Sequence, residues 1–245
     1  MSERKITIVH LYPRSMNIYG DAGNVLAVKR RLEWYGYTPK IVSHNETNVF
    51  PSECDILIGG GGQDSGQLKI MQDLQIIAPK LQELAENGTP QLMVCGLYQL
   101  YGLYFKTYED NFLDGIGVFD IYTLGKTTRL IGNITTESDR FGKIVGYENH
   151  SGQTFFDGKK TLPLAKVLNG VGNNETDKTE GAIYKNTIGT YLHGSILPKN
   201  PAICDFLIEQ ATINKYGEFA PTSKIPAHVL KTTENARKVA FDLPR

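Results

Sequence analysis

Leu92-Met93-Val94-Cys95-Gly96-Leu97-Tyr98-Gln99-Leu100-Tyr101-Gly102 is a short apolar strand that runs into a cysteine, a glycine and then a helix-like stretch. A strand, a sharp turn and a helix in that order lift the side chain at the turn above a parallel sheet. The amino end of the helix then favours a thiolate. Cys95 therefore reads as a nucleophile, and its plainer reading is a buried cysteine acting as a small hydrophobe. Cys54 and Cys204 stand at a strand entry and inside a helix, where the plainer reading holds. The three cysteines are far apart and show no CxxC pair, so neither a zinc site nor a disulfide framework is signalled.

Working outward, residues 6–11 are β-rich, a polar loop follows through Asn17 and Gly20, and residues 25–35 carry helical apolar spacing. Asp21 sits where an N-cap would sit, and Gly36 where the chain leaves a helix in the left-handed conformation. Residues 38–42 predict a second strand. Residues 55–58 form a continuous apolar run of the parallel-sheet kind that ends in Gly59-Gly60-Gly61-Gly62. Between residues 67 and 87, Leu68, Met71, Leu74, Ile77, Leu81 and Leu84 recur at threes and fours, while Pro79 predicts two short helices or one kinked helix. This alternation predicts an α/β fold with a central, mostly parallel sheet flanked by helices.

Beyond about residue 112 the texture becomes β-rich, at 129–136, 143–147, 183–184 and 188–192, before a helix at 202–216 and a further one around 228–239. We expect one domain over 1–216 and a partly helical tail over 217–245. That tail reads as a solvated helix or as a partner-docking one. With 26 Lys and Arg against 26 Asp and Glu the formal charge is zero, which disfavours nucleic acid as a general partner. Hydrophobic residues at 40% and charged ones at 21% exclude a disordered chain. The opening run 6–11 is too short for a signal-peptide core or a membrane span, so a soluble cytoplasmic protein is expected.

A thiol nucleophile needs a base, and the histidines stand at 10, 44, 150, 193 and 228. His193 closes an apolar run and precedes Gly194, which projects it from a strand end; a structural histidine is the alternative there. With Cys95 it suggests acyl transfer through a thioester, with backbone N–H groups from Gly60, Gly61, Gly62 and Gly96 as an oxyanion hole. The four glycines carry no Lys-Ser/Thr and complete no GxGxxG fingerprint, which argues against a phosphate cradle.

Val94 to Gly102 together with Tyr191-Leu192-His193-Gly194 resembles the cobyric-acid-synthase-like branch of class I glutamine amidotransferases. Further segments narrow the resemblance to the glutaminase subunits of lipid II isoglutaminyl synthases: Asn17-Ile18-Tyr19-Gly20-Asp21-Ala22-Gly23-Asn24, Lys126-Thr127-Thr128-Arg129-Leu130, Gly146-Tyr147-Glu148-Asn149-His150 and Gly170-Val171-Gly172-Asn173-Asn174. The resemblance implies hydrolysis of L-glutamine by Cys95 and His193. The ammonia would pass to a Mur-ligase-like partner in a heterodimer, which amidates D-glutamate of lipid II in peptidoglycan synthesis. ATP and Mg²⁺ would belong to that partner, with no cofactor or metal in this chain, and lipid II would bring the complex to the inner membrane face.

Arg129 matches the arginine that such enzymes use to hold glutamine, and a guanidinium can grip the α-carboxylate bidentately. Gln99 either lines the pocket or sits on the helix after the elbow. Three positions depart from the family pattern. Met93 and Leu97 stand where such elbows usually carry glycine, and Ser195 stands where many carry the glutamate that orients the histidine. The chain then works as a dyad or takes its orienting carboxylate from Glu148 or Asp21. His150 reads as a packed loop histidine. The alternatives are an amidotransferase-like module that binds without catalysis, and an enzyme with another acceptor such as a cobyrinate-type carboxylate.

Overall fold

A computed structural model describes residues 4–244. The first layer is a six-stranded sheet. Its strands are β1 (Lys5–Leu11), β2 (Thr38–His44), β3 (Ile56–Gly59), β4 (Gln91–Val94), β11 (Ala182–Tyr184) and β12 (Thr187–Thr190), in the spatial order β11-β12-β4-β3-β1-β2. All neighbours are parallel except β11 and β12. Burial on both faces explains why β3 and β4 read as unbroken apolar runs. Helix α1 (Ala22–Tyr35) carries the chain from β1 outward to β2, and α2 (Asp64–Glu86) carries it from β3 in the opposite direction to β4. The strand order thus reverses between β1 and β3, and a crevice opens beyond the carboxyl ends of those two strands, where open α/β sheets bind ligands.

Gly36 ends α1 with φ +83°, as its place in the sequence predicts. Of the two forms expected around Pro79, two short helices or one kinked helix, the structure has a single helix with Pro79 inside it. Pro79 is exposed and withholds one N–H from Gln75, but Leu74, Ile77, Ala78 and Leu81 are buried around it, and that packing holds the helix together. Asp21 occupies the N-cap position as expected but does not cap through its side chain; Asn17 Oδ1 accepts the Ala22 N–H instead, at 2.8 Å.

The second sheet is built on the long hairpin of β7 (Ile121–Ser138) and β8 (Gly142–Phe156), joined by β5 (Tyr104–Lys106), β6 (Phe112–Asp114), β9 (Ala165–Asn169), β10 (Thr179–Glu180) and β13 (Leu192–His193). The run at 188–192 predicts one strand, but it divides. Residues 187–190 pair with β4 in the first sheet, Tyr191 turns the chain, and Leu192 and His193 pair with Glu148 and Tyr147 in the second. Glu180 makes that turn affordable: its carboxylate accepts the Thr190 hydroxyl at 2.9 Å and the Tyr191 N–H at 2.8 Å. Short α3 (Gly96–Leu100) and α4 (Ile196–Lys199) follow β4 and β13. The terminal helices are α5 (Pro201–Tyr216) and α6 (Ala227–Asp242). Arg237 of α6 donates to the backbone carbonyls of Lys199 and Lys143. No helix of the described residues is long and apolar enough to cross a membrane.

Candidate active site

Cys95 leaves β4 with φ +51° and ψ −103°, a conformation a side-chain-bearing residue enters only when its surroundings hold it there. Its N–H donates to Thr190 O at 2.8 Å and its carbonyl accepts the Gln99 N–H at 3.0 Å, which clamps the turn from both sides. The bulk of Met93 and Leu97 is accommodated across the sheet. A Cβ on Gly59 of β3 would collide with Leu97 Cδ1 and lie 3.0 Å from Met93 Sδ, so the room that glycine supplies elsewhere comes here from the neighbouring strand.

The glycines after β3 serve close backbone approach. A Cβ on Gly60 would strike the Met16 carbonyl and lie 2.6 Å from Asp21 Cβ. One on Gly62 would meet Met16 Sδ at 2.5 Å. At Gly61 the three side chains of greatest chemical interest converge: a Cβ would stand 3.1 Å from Cys95 Cβ, 3.2 Å from His193 Cε1 and 3.6 Å from Asp21 Oδ2. Asp21 Oδ2 accepts the Gly61 N–H at 2.7 Å. That donor is therefore committed; of the other three expected donors, Gly62 lines the same cavity as Cys95 and Gly96 follows Cys95 directly in the chain. A carboxylate seated on this turn also removes any case for a phosphate there.

His193 is buried beside Cys95 with no hydrogen bond to either ring nitrogen from the described residues. Burial first, then His150 and Arg129, hold its pKa down to about 3. Burial first, then the Asp21 charge, push the Cys95 thiol up to about 12, against the opposing pull of Arg129 and the Gly96 N–H. Burial thus opposes the thiolate that the helix end is expected to favour. Helix α3 has only five residues, and burial outweighs so short a dipole. Asp21 is itself pushed up to about 6 by burial, partly offset by its bond from Gly61.

A cavity of about 330 Å³ opens beside Cys95, lined among others by Tyr19, Gln99, Arg129 and His150. Arg129 reaches it from a bulge where the β7–β8 register shifts between Gly125 and Leu130. Its Nε donates to Asn149 Oδ1 at 2.6 Å and its Nη2 to the Tyr19 hydroxyl at 2.8 Å. Gln99 both lines the cavity and lies on α3. Its Oε1 accepts from Gln67 at 2.9 Å and its Nε2 donates to the Tyr191 hydroxyl at 3.1 Å. Glu148 lies one register position from His193, and its carboxylate accepts the Val171 and Gly172 N–H groups at 3.1 and 2.8 Å.

Sequence reasoning missed Tyr19 and Asn149, which sit on Arg129, and the signal for both was their place inside segments that also held candidate residues. His150, read as a packed histidine, is buried and stacks on Tyr191 at 3.6 Å, and it also lines the cavity.

Residues 7–201 match the CobB/CobQ-like glutamine amidotransferase domain. The chain is 44% identical over 218 residues to the lipid II isoglutaminyl synthase (glutamine-hydrolyzing) subunit GatD of Staphylococcus aureus, covering 89% of this chain and 88% of that one. It is 38% identical to the subunit of the same name from Streptococcus pneumoniae, over 87% and 83% of the two chains. Among solved structures, PurLQS from Thermotoga maritima superposes with a TM-score of 0.56 over 87% of this chain and 99% of that one at 15% identity, which shows a shared fold. The chain belongs to the CobB/CobQ-like glutamine amidotransferase family, on the branch that holds the GatD subunits of lipid II isoglutaminyl synthases.

Proposed function

We propose that this chain is the glutaminase subunit of a lipid II isoglutaminyl synthase, releasing ammonia from L-glutamine for a Mur-ligase-like partner that amidates D-glutamate of lipid II. The observation that carries the reading is the meeting of Cys95 and His193 at Gly61, with Arg129 on the same cavity. ATP and Mg²⁺ are assigned to the partner, and the complex works on the cytoplasmic face of the membrane where lipid II is amidated.

Because the thiol is pushed up and the imidazole held down, the pair rests as neutral thiol and neutral imidazole. Glutamine enters with its α-carboxylate on Arg129 and its side-chain amide at Cys95. His193 takes the thiol proton as sulfur attacks the amide carbon, and the Gly62 and Gly96 N–H groups receive the oxyanion. The C–N bond breaks as His193 returns the proton to the leaving nitrogen, giving ammonia and a γ-glutamyl thioester. Water, deprotonated by His193, then attacks the thioester, and glutamate and free thiol result. Asp21, whose carboxylate accepts the Gly61 N–H, is assigned the role of holding the Gly61 turn.

The test is ammonia release from L-glutamine by the chain in complex with its ligase partner. Wild type is expected to release ammonia, and Cys95→Ala and His193→Ala to lose about a thousand-fold or more while melting as wild type does. Ammonia release unchanged in Cys95→Ala sinks the reading. One observation favours a second reading, a module that binds glutamine without hydrolysing it: the raised Cys95 thiol beside an imidazole whose ring nitrogens have no hydrogen bond from the described residues. A diazo-ketone analogue of glutamine that fails to label Cys95 in the complex supports that reading.

A further inference from the structure

His193 has no hydrogen-bond partner among the described residues to orient its ring, yet a general base works only if its lone pair is aimed at the proton it takes. The group lying on the imidazole is Tyr19, with ring centroids 4.0 Å apart and planes at 46°. The hydroxyl of the same residue accepts from Arg129 Nη2 at 2.8 Å. One side chain therefore touches the base with its ring and the substrate-side cation with its oxygen.

The loop that carries Tyr19 is fastened at its other residues. Asn17 Oδ1 accepts the Ala22 N–H at 2.8 Å, the Ile18 N–H donates to Gly61 O at 3.1 Å, and the Gly20 carbonyl accepts the Ser195 hydroxyl at 3.0 Å. Asp21 at its end holds the Gly61 N–H at 2.7 Å. Tyr19 is thus held at a set height over the site rather than resting on it by chance.

We propose that Tyr19 is a positioning residue for the hydrolysis: its ring fixes the imidazole of His193 where related enzymes use a carboxylate, and its hydroxyl presents the Arg129 guanidinium to the α-carboxylate of glutamine. The proposal rests on the glutaminase reading and deepens it. The two functions are separable because phenylalanine keeps the ring and drops the hydroxyl, while leucine drops both.

The experiment is steady-state glutaminase kinetics of the complex with Tyr19→Phe and Tyr19→Leu, with Cys95→Ala as control and melting curves for each. Tyr19→Phe is expected to raise KM about five-fold, with kcat within about two-fold of wild type, since one hydrogen bond to a charged group is lost. Tyr19→Leu is expected to show the same KM effect and a kcat about thirty-fold lower, because the base is no longer held in register. A Tyr19→Leu enzyme with wild-type kcat overturns the positioning of the base, and a Tyr19→Phe enzyme with wild-type KM overturns the positioning of Arg129. If wild type and Cys95→Ala are equally inactive, it is the glutaminase reading that has failed. The ring contact is then judged by NMR of the chain: the His193 Cε1 proton is expected to be shielded in wild type and Tyr19→Phe and not in Tyr19→Leu. An unshielded wild-type proton overturns the contact.

Discussion

Cys95 and Arg129 face one cavity and arrive there by different routes. Cys95 is placed by contiguous chain: β4 enters, the backbone turns at positive φ, and α3 leaves, with the Cys95 N–H and carbonyl both bonded to main chain. Arg129 is placed by a bulge in a long hairpin and by side chains, with Tyr19 lying 110 residues away in sequence. The first arrangement is rigid because backbone hydrogen bonds cannot be relaxed without unmaking the sheet. The second depends on side-chain hydrogen bonds of about 1.5–3 kcal/mol each, which a substrate can rearrange. The nucleophile side should therefore govern the chemical step, and the clamp side should govern binding.

After the loss of Cys95 or His193 themselves, the largest expected effect lies on the clamp side. Arg129→Ala should raise KM for glutamine about a hundred-fold, since two charge-assisted hydrogen bonds to a carboxylate are lost, and leave the melting temperature unchanged because the side chain is exposed. Kinetics and a thermal melt check it; a drop in kcat with KM unmoved would break the division of labour.

The next effect is on stability, at Asp21, where the two sides meet. Burial raises its pKa from 3.8 to about 6, so the unfolded chain gives up this proton first. Stability is then lost as pH rises from about 4 to about 6, and the full penalty, about 3 kcal/mol, is present above that. Asp21→Asn keeps an oxygen for the Gly61 N–H and carries no charge to bury. It should be more stable than wild type by about that amount at pH 7.5 and equal to it near pH 4, as read by denaturant unfolding at both pH values. A variant less stable by the same margin at both would show that the carboxylate is compensated.

The smallest effect sharpens the nucleophile side. Gly61→Ala places a methyl group 3.1 Å from Cys95 Cβ and 3.2 Å from His193 Cε1, so both must give way by a few tenths of an ångström. We expect kcat to fall about ten-fold with KM unchanged. Wild-type kcat in this variant would mean that the pair has slack.

Some of this was legible before any coordinates. The strand-cysteine-helix pattern at residues 92–102, the left-handed Gly36 and the helices at 202–216 and 228–239 follow from local rules, and the structure has each of them. At Pro79 the sequence leaves two short helices or one kinked helix open, because a proline's cost is local while the apolar face that outweighs it spans the whole of α2. At Asp21 the N-cap position is legible but the side chain's partner is not, because a capping carboxylate and a non-capping one look alike in sequence. Only the approach of Gly61 from another strand draws it inward. The run at 188–192 looked continuous because periodicity does not register a change of sheet.

By itself the sequence determined the alternating α/β layer, the cysteine at its strand-to-helix turn and the family, because those rest on patterns within a few consecutive residues or on whole motifs. The tertiary structure alone decided which glycine N–H is occupied, which ring covers His193, what holds Arg129 and why Met93 and Leu97 fit beside Gly59. Each of these is a distance between segments remote in the chain, and such distances exist only once the two sheets have packed and buried the charges between them.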